Sequence, residues 1–183
     1  MEKTFGLPIP DLDADHGIAI ILRNSEARSA MQSIADTADQ IAEISMPPCA
    51  VQGGDVASAR QNIGFLVSEL LENAIKFKAD EKSPVFIMAS IINGFFVVKV
   101  RNNVTSIIAR RFSAILARFM NKASSDLLIE KLIRNAKSGN VNESGIGLLT
   151  LMSDYDVEMG WKFSEIENMG SVELISFARL PLN

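Results

Sequence analysis

Two apolar, β-branched runs flank the dipeptide Asn93-Gly94 near the middle of the chain. The runs are Val85–Ile92 and residues 95–101. Asn-Gly is the dipeptide that best suits a two-residue type I′ turn. Both central residues of that turn have a positive φ, which asparagine and glycine adopt more readily than other residues. The sequence therefore predicts an antiparallel hairpin over residues 85–101.

Ahead of this hairpin, the patterns predict one strand and two helices. Residues 1–15 are rich in Pro and Asp, and we expect an irregular lead-in there. Residues 17–22 form an apolar, β-branched run that indicates a buried strand. Residues 25–44 repeat apolar side chains at helical spacing, and we expect Pro47-Pro48 to end that helix. A long helix follows over about residues 56–78; its apolar stripe is Ile63, Leu66, Val67, Leu70, Ala74 and Phe77.

After the hairpin, residues 106–136 are helical in pattern, and another helix is expected over residues 145–153. Two strands, over residues 156–166 and 172–180, form a final hairpin. The element order is thus β, α, α, β-β, α, α, β-β. It predicts a single α/β domain over residues 1–183, with a mixed, mostly antiparallel sheet covered on one face by helices, an α+β sandwich.

The composition narrows the classes of partner. The net charge of −4 and the pI of about 5.1 argue against a general nucleic-acid binder, since duplex phosphates would be repelled. The single cysteine allows no internal disulfide. The first 15 residues contain no apolar signal-peptide run, and the most apolar stretch, residues 85–100, is too short to span a bilayer as a helix. We expect a cytoplasmic protein with no membrane partner.

The long helix carries a polar stripe beside its apolar one. At about 100° per residue, Asn62, Glu69, Asn73 and Lys76 fall within about 60° of one another. Glu69 could accept a proton or orient a water, Asn73 could offer an amide oxygen to Mg²⁺, and Lys76 could contact a phosphate. The alternative interpretation is a solvated face of an ordinary amphipathic helix.

Two further segments could contribute to a binding site. Gly145 and Gly147 follow a polar loop and open a helix, so the backbone there could approach an anion closely. Asn102 and Asn103 lie at the end of the central hairpin, where polar side chains could recognise a base edge. The alternatives are an ordinary loop-to-helix turn and a simple strand exit.

These three segments, in this order, resemble motifs of the histidine-kinase-like ATPase superfamily, also called GHKL or Bergerat ATPases. The similarity is greatest to its small anti-sigma-factor and SiaB-like serine kinases. Residues 69–77 (ELLENAIKF) resemble the N-box helix, residues 100–103 (VRNN) stand at the place of the first glycine box, and residues 144–149 (SGIGLL) at that of the second. The resemblance covers residues 56–180 as a nucleotide-binding core and leaves 1–55 as a strand–helix extension.

The resemblance implies ATP or ADP with Mg²⁺ as ligand. Glu69 would be the general base, Asn73 would coordinate Mg²⁺, and Lys76 would lie near the phosphates. The remaining nucleotide contacts would come from Asn102, Asn103, Gly145, Gly147 and Leu148, beneath a lid formed by residues 104–144. The first glycine box departs from the family pattern: Asn102 replaces the acid that accepts the adenine amino group, and Val104 and Ser106 replace glycines.

Three functions remain open on this basis. The chain could be a serine/threonine protein kinase acting on a small regulatory protein of the STAS or anti-sigma-antagonist kind. It could instead be a non-catalytic sensor that binds ADP, a flavin dinucleotide such as FAD or another adenine-containing ligand and controls a partner by conformation. The third possibility is an interaction module whose dimer surface lies on the first strand and helix. The family resemblance implies a homodimer.

Overall fold

The computed structural model describes residues 2–12, 17–22, 27–51, 55–120, 126, 146–166 and 170–182. Six strands form one sheet in the order β1-β5-β6-β4-β3-β2. All five neighbouring pairs of strands are antiparallel. The described sheet is therefore entirely antiparallel, whereas the sequence predicts a mixed, mostly antiparallel sheet. The strands are β1 (Glu2–Gly6), β2 (Ile18–Leu22), β3 (Val85–Ile92), β4 (Phe95–Thr105), β5 (Glu158–Glu165) and β6 (Ser171–Pro181).

The central hairpin forms at the predicted position. Ile92 pairs with Phe95, and the two turn residues between them have positive φ, 51° at Asn93 and 80° at Gly94. Asparagine and glycine tolerate this left-handed backbone better than other residues. The turn chemistry of these two residues therefore sets the register of β3 against β4.

Four helices are described: α1 (Ala27–Val51), α2 (Val56–Lys76), α3 (Ser106–Phe119) and α4 (Ile146–Asp154). They pack on one face of the sheet, as predicted. The Asp55 carboxylate caps α2 by accepting from the backbone N–H groups of Ala57 and Ser58, at 3.1 and 3.3 Å. The Thr105 hydroxyl caps α3 in the same way, so α3 begins directly where β4 ends.

The N-terminal lead-in prediction is wrong for residues 2–6, which form the edge strand β1. The sequence EKTFG has no apolar alternation, so the strand depends on its neighbour: it pairs with β5 from Glu2↔Ser164 to Gly6↔Gly160. The Phe5 ring also meets that of Phe163 edge-on at 5.9 Å. The strand β1 is thus stabilised by pairing with a strand distant in the sequence, and its own residue pattern does not predict it.

The prediction that Pro47-Pro48 ends the first helix is also wrong, since α1 continues to Val51. Each proline removes the hydrogen bond to the carbonyl four residues earlier, at Glu43 and at Ile44, and a proline ring also crowds that carbonyl. Those two residues are exposed, so water can bond to their carbonyls. The free-energy cost of the two prolines is therefore confined to the solvent side of α1 near its end. The helix is packed on the core through buried Ile41.

Strand alternation divides the core between the two faces of the sheet. In β4, Phe96, Val98, Val100 and Val104 are buried beneath the helices. On the opposite face, Val97 and Phe177 pack with Leu12 from the segment after β1, and this second cluster is smaller. None of the helices in the described parts of the chain is both long and apolar enough to cross a membrane.

Candidate functional site

The polar stripe of α2 lies beside the packed face of the helix, as predicted. Glu69 and Asn73 are half-buried, and Lys76 is exposed in the last turn, with its Nζ 5.5 Å from the centre of the Phe77 ring. The Asn73 side-chain amide donates to the Glu69 main-chain carbonyl at 2.7 Å. This bond fixes the Asn73 rotamer and leaves its Oδ1 as the atom that can accept a hydrogen bond or coordinate a cation.

Gly147 lies directly against the Glu69 carboxylate. A methyl group at position 147 would overlap that carboxylate, so any larger residue there would force the Glu69 side chain to move. Gly147 is the second residue of α4, and the first N–H groups of a helix have no intrahelical partner. The fold thus brings the glycine segment and the α2 carboxylate together, although they are far apart in the sequence. Leu148 is half-buried and packs on the core, while Gly145 lies outside the described residues.

Burial raises the pKa of the Glu69 carboxyl, and the negative charge of Glu72, one turn away, raises it further. A raised pKa makes a carboxylate a better proton acceptor near neutral pH. Perturbed carboxyls of this kind are common in catalytic sites, although structural sites contain them too. The position can therefore support general-base chemistry.

Asn102 is buried, with 3% of its surface exposed, on the face of β4 that meets the helices. Its side-chain amide donates to the main-chain carbonyl of Ala74 at 2.9 Å. Ala74 follows Asn73, so this bond ties the site-bearing turn of α2 to the sheet. Asn102 therefore joins strand to helix, a contact that the sequence interpretation missed because it links residues far apart in the chain.

Asn103 is not brought together with Asn102. Its side chain lies on the opposite face of the sheet, because neighbouring residues in a strand point to opposite sides. Its main-chain carbonyl accepts from the N–H of Ala79 at 2.7 Å. Neither asparagine is at a strand exit, since β4 continues to Thr105 through pairing with β6. Of the proposed lid, residues 106–119 form α3, and residues 121–125 and 127–144 lie outside the described part.

A groove of about 430 Å³ lies at the other end of α2, between this helix and α1. None of the predicted site residues lines it; its lining consists of Asp39, Ala57, Arg60, Gln61, Gly64 and Phe65. The one sequence signal for it is Gly64, a glycine inside a long helix, which leaves open space where a side chain would stand.

A scan against models of known protein families finds no match to the chain, and a search of curated proteins finds no significant match either. Within the described residues, no three His, Cys, Asp or Glu side chains cluster closely enough to hold a metal ion.

Proposed function

We propose that the chain has a GHKL-type fold and is a cytoplasmic signalling regulator that binds an adenine nucleotide between α2 and α4. We further propose that Glu69 acts as general base in phosphoryl transfer from ATP to a serine or threonine of a small STAS-type regulatory protein. The observation that carries this proposal is the contact between Gly147 and the Glu69 carboxylate. This contact brings residues of two separate motifs together around one half-buried carboxyl, that of Glu69.

The residues around this contact suit a magnesium nucleotide. Mg²⁺ prefers oxygen ligands and is commonly held by one or two protein side chains together with phosphate oxygens. Asn73 offers an amide oxygen whose partner nitrogen is already bonded. The N-terminus of α4 suits an anionic phosphate, because its free N–H groups and its dipole both favour negative charge. Lys76 is exposed, in the last turn of the same helix, and can approach a phosphate.

In this proposal, the residues of the chain position the nucleotide and move one proton. Glu69 takes the proton from the acceptor hydroxyl, whose oxygen forms a bond to the γ-phosphorus as ADP leaves. Its raised pKa favours this role because proton transfer is most efficient when the pKa of the base lies near the working pH. Bound ATP would supply the phosphoryl group.

A second candidate function is a sensor without turnover, and the bond made by Asn102 favours it. The Asn102 amide nitrogen donates to the Ala74 carbonyl, and the one acceptor that the side chain could offer to adenine is its neutral amide oxygen. A neutral acceptor bonds more weakly than a carboxylate. Such a site could hold ADP or a flavin dinucleotide and control a partner through the position of α4.

One set of measurements separates the two functions. The purified protein is denatured and released small molecules are identified by mass spectrometry. ATP binding with Mg²⁺ is measured by calorimetry, and phosphate transfer to a candidate STAS-type protein is followed by mass. Glu69→Gln removes the base and Asn73→Ala the cation ligand. Glu81→Gln is the matched control, because Glu81 is an exposed carboxyl shortly after the same helix.

If the protein is a kinase, Glu69→Gln should still bind ATP but lose transfer, Asn73→Ala should bind ATP more weakly, and Glu81→Gln should retain both binding and transfer. A sensor predicts a co-purified or tightly bound adenine ligand with no transfer in any variant. Absence of nucleotide binding by the unmodified protein would show both proposals to be wrong.

A further inference from the structure

Helix α3 uses one side for packing and leaves the opposite side free of contacts with the core. Phe112 meets Trp161 and Phe163 edge-on, at 6.0 and 5.9 Å, on the packed side. Four residues fall within about 60° of one another on the opposite side, at about 100° per residue. All four are exposed: Ile107, Arg111, Ala114 and Arg118. We call these four residues the outer face of α3.

The arginines of α3 have no acidic partner among the described residues, unlike three arginines elsewhere in the structure. Three arginines elsewhere in the described part of the chain form ion pairs: Arg60 with Glu43, Arg101 with Glu173, and Arg179 with Glu158. No acidic residue in the described parts of the chain pairs with an α3 arginine, and α3 itself contains no Asp or Glu. The arginines of α3 are Arg110, Arg111 and Arg118.

The concentration of positive charge on α3 contrasts with the net charge of −4 for the whole chain. Apolar side chains stand among the arginines, with Ile107 56% exposed and Ile115 46% exposed. An acid one turn from an arginine stabilises a solvated helix through an ion pair, and α3 contains no such acid. An uncompensated basic face with exposed isoleucines is instead complementary to an acidic surface that also carries apolar side chains.

The arrangement favours a protein partner over a lipid surface. A membrane-bound amphipathic helix inserts a broad apolar face and keeps its cations at the sides. In α3 the broad apolar face is already packed on the sheet, and Arg111 and Arg118 stand at the centre of the outer face. All three cations are arginines, which are enriched at protein interfaces where lysine is depleted.

We propose that the outer face of α3 is a docking surface for an acidic amphipathic segment of a partner protein. Arg111 and Arg118 are seven residues apart, which places them about 10 Å apart along the helix. A partner helix with carboxylates at the same spacing would pair with both, and an apolar residue between them would pack beside Ala114 and Ile107. The assignment of this surface does not depend on the function proposed for the nucleotide site.

The test uses a synthetic helical peptide as probe, with glutamates seven residues apart beside a leucine stripe, and a matched peptide with glutamine in place of each glutamate. Binding to the full chain is followed by fluorescence anisotropy at about 50 mM and about 300 mM NaCl, since salt screens exposed ion pairs. The acidic peptide should bind, more weakly at high salt, and the glutamine peptide should not.

Variants then assign the surface. The double substitution Arg111→Gln and Arg118→Gln should weaken binding by about two- to thirtyfold, the range expected when two exposed ion pairs are lost. Ile107→Ser should weaken it as well, and Lys82→Gln, which removes an exposed cation elsewhere, should not. The thermal midpoint of the double variant should stay close to that of the unmodified protein, because exposed substitutions rarely change stability by more than about 0.5 kcal/mol.

Several results would overturn the assignment. They are no binding of the acidic peptide, equal binding by the double variant, or a thermal midpoint lowered by many degrees, which would give the arginines a structural role. Binding to phosphatidylserine vesicles in place of the peptide would assign the face to lipid. Self-association lost in the double variant would assign it to a second copy of the chain.

Discussion

Replacing Asn102 by aspartate should make the stability of the protein strongly pH-dependent. The Asn102 amide is buried and donates to the Ala74 carbonyl at 2.9 Å. A protonated carboxyl has nearly the same shape and can donate its O–H to the same carbonyl. An ionised carboxyl has no proton to donate and would place negative charge against the carbonyl oxygen, away from water. Burial thus raises the pKa of the introduced carboxyl above its value in the unfolded chain.

The size of the effect follows from proton linkage. The unfolded chain releases this proton near pH 3.9. Because the folded-state pKa is the higher one, stability is fully present below pH 3.9 and falls by about 1.4 kcal/mol per pH unit until the folded pKa is passed. Buried carboxyls shift by about three units or more, which corresponds to about 4 kcal/mol lost by pH 7. That is a large part of the 5–15 kcal/mol typical of a folded domain.

Urea denaturation between about pH 4 and pH 8 measures this loss, with the fluorescence of Trp161 as signal. Trp161 is the single tryptophan of the sequence and is 2% exposed, so its emission reports global unfolding. Asn102→Ala is the control: it should cost about 1–3 kcal/mol at every pH, because it leaves the Ala74 carbonyl without its donor. If Asn102→Asp cost the same at pH 4 and pH 8, the side chain would not face a buried carbonyl and the reasoning would be wrong.

Three other predictions concern α2. Gly64→Ala should raise the free energy of unfolding by about 0.5–1 kcal/mol in a urea titration, because a Cβ there meets no atom within 4 Å and alanine favours helix; a loss of stability would contradict the open space. Asp55→Ala should cost about 1 kcal/mol by removing the N-cap, whereas Asp55→Asn should keep most of it, and equal losses would contradict the capping role. Burial, and then the charge of Glu72, raises the pKa of Glu69, so its contribution to stability is present at low pH and lost as pH rises through the folded pKa. Glu69→Gln should accordingly be more stable than the unmodified protein at pH 7, with an advantage that shrinks towards pH 4; an advantage independent of pH would contradict this.

The sequence determined those elements that depend on neighbouring residues. Asn93-Gly94 fixed the central hairpin because the turn requires a positive φ at two adjacent positions, which these residues adopt at low cost. The apolar spacing of α2 predicted both the helix and the side on which Glu69 and Asn73 lie, since helical periodicity alone decides which residues share a face. Helices on one side of a sheet followed from the order of the elements.

Tertiary structure decided everything that depends on which distant segments meet. Strand β1 exists because β5 supplies its hydrogen-bonding edge, and α1 passes Pro47-Pro48 because the carbonyls left without a donor belong to exposed residues. Pairing with β6 extends β4 through Asn102, turns its amide towards Ala74 and sends Asn103 to the other face. The contact of Gly147 with Glu69 is of the same kind. Local periodicity specifies how a segment is buried, whereas the identity of its partner is set by packing free energy summed over the whole domain.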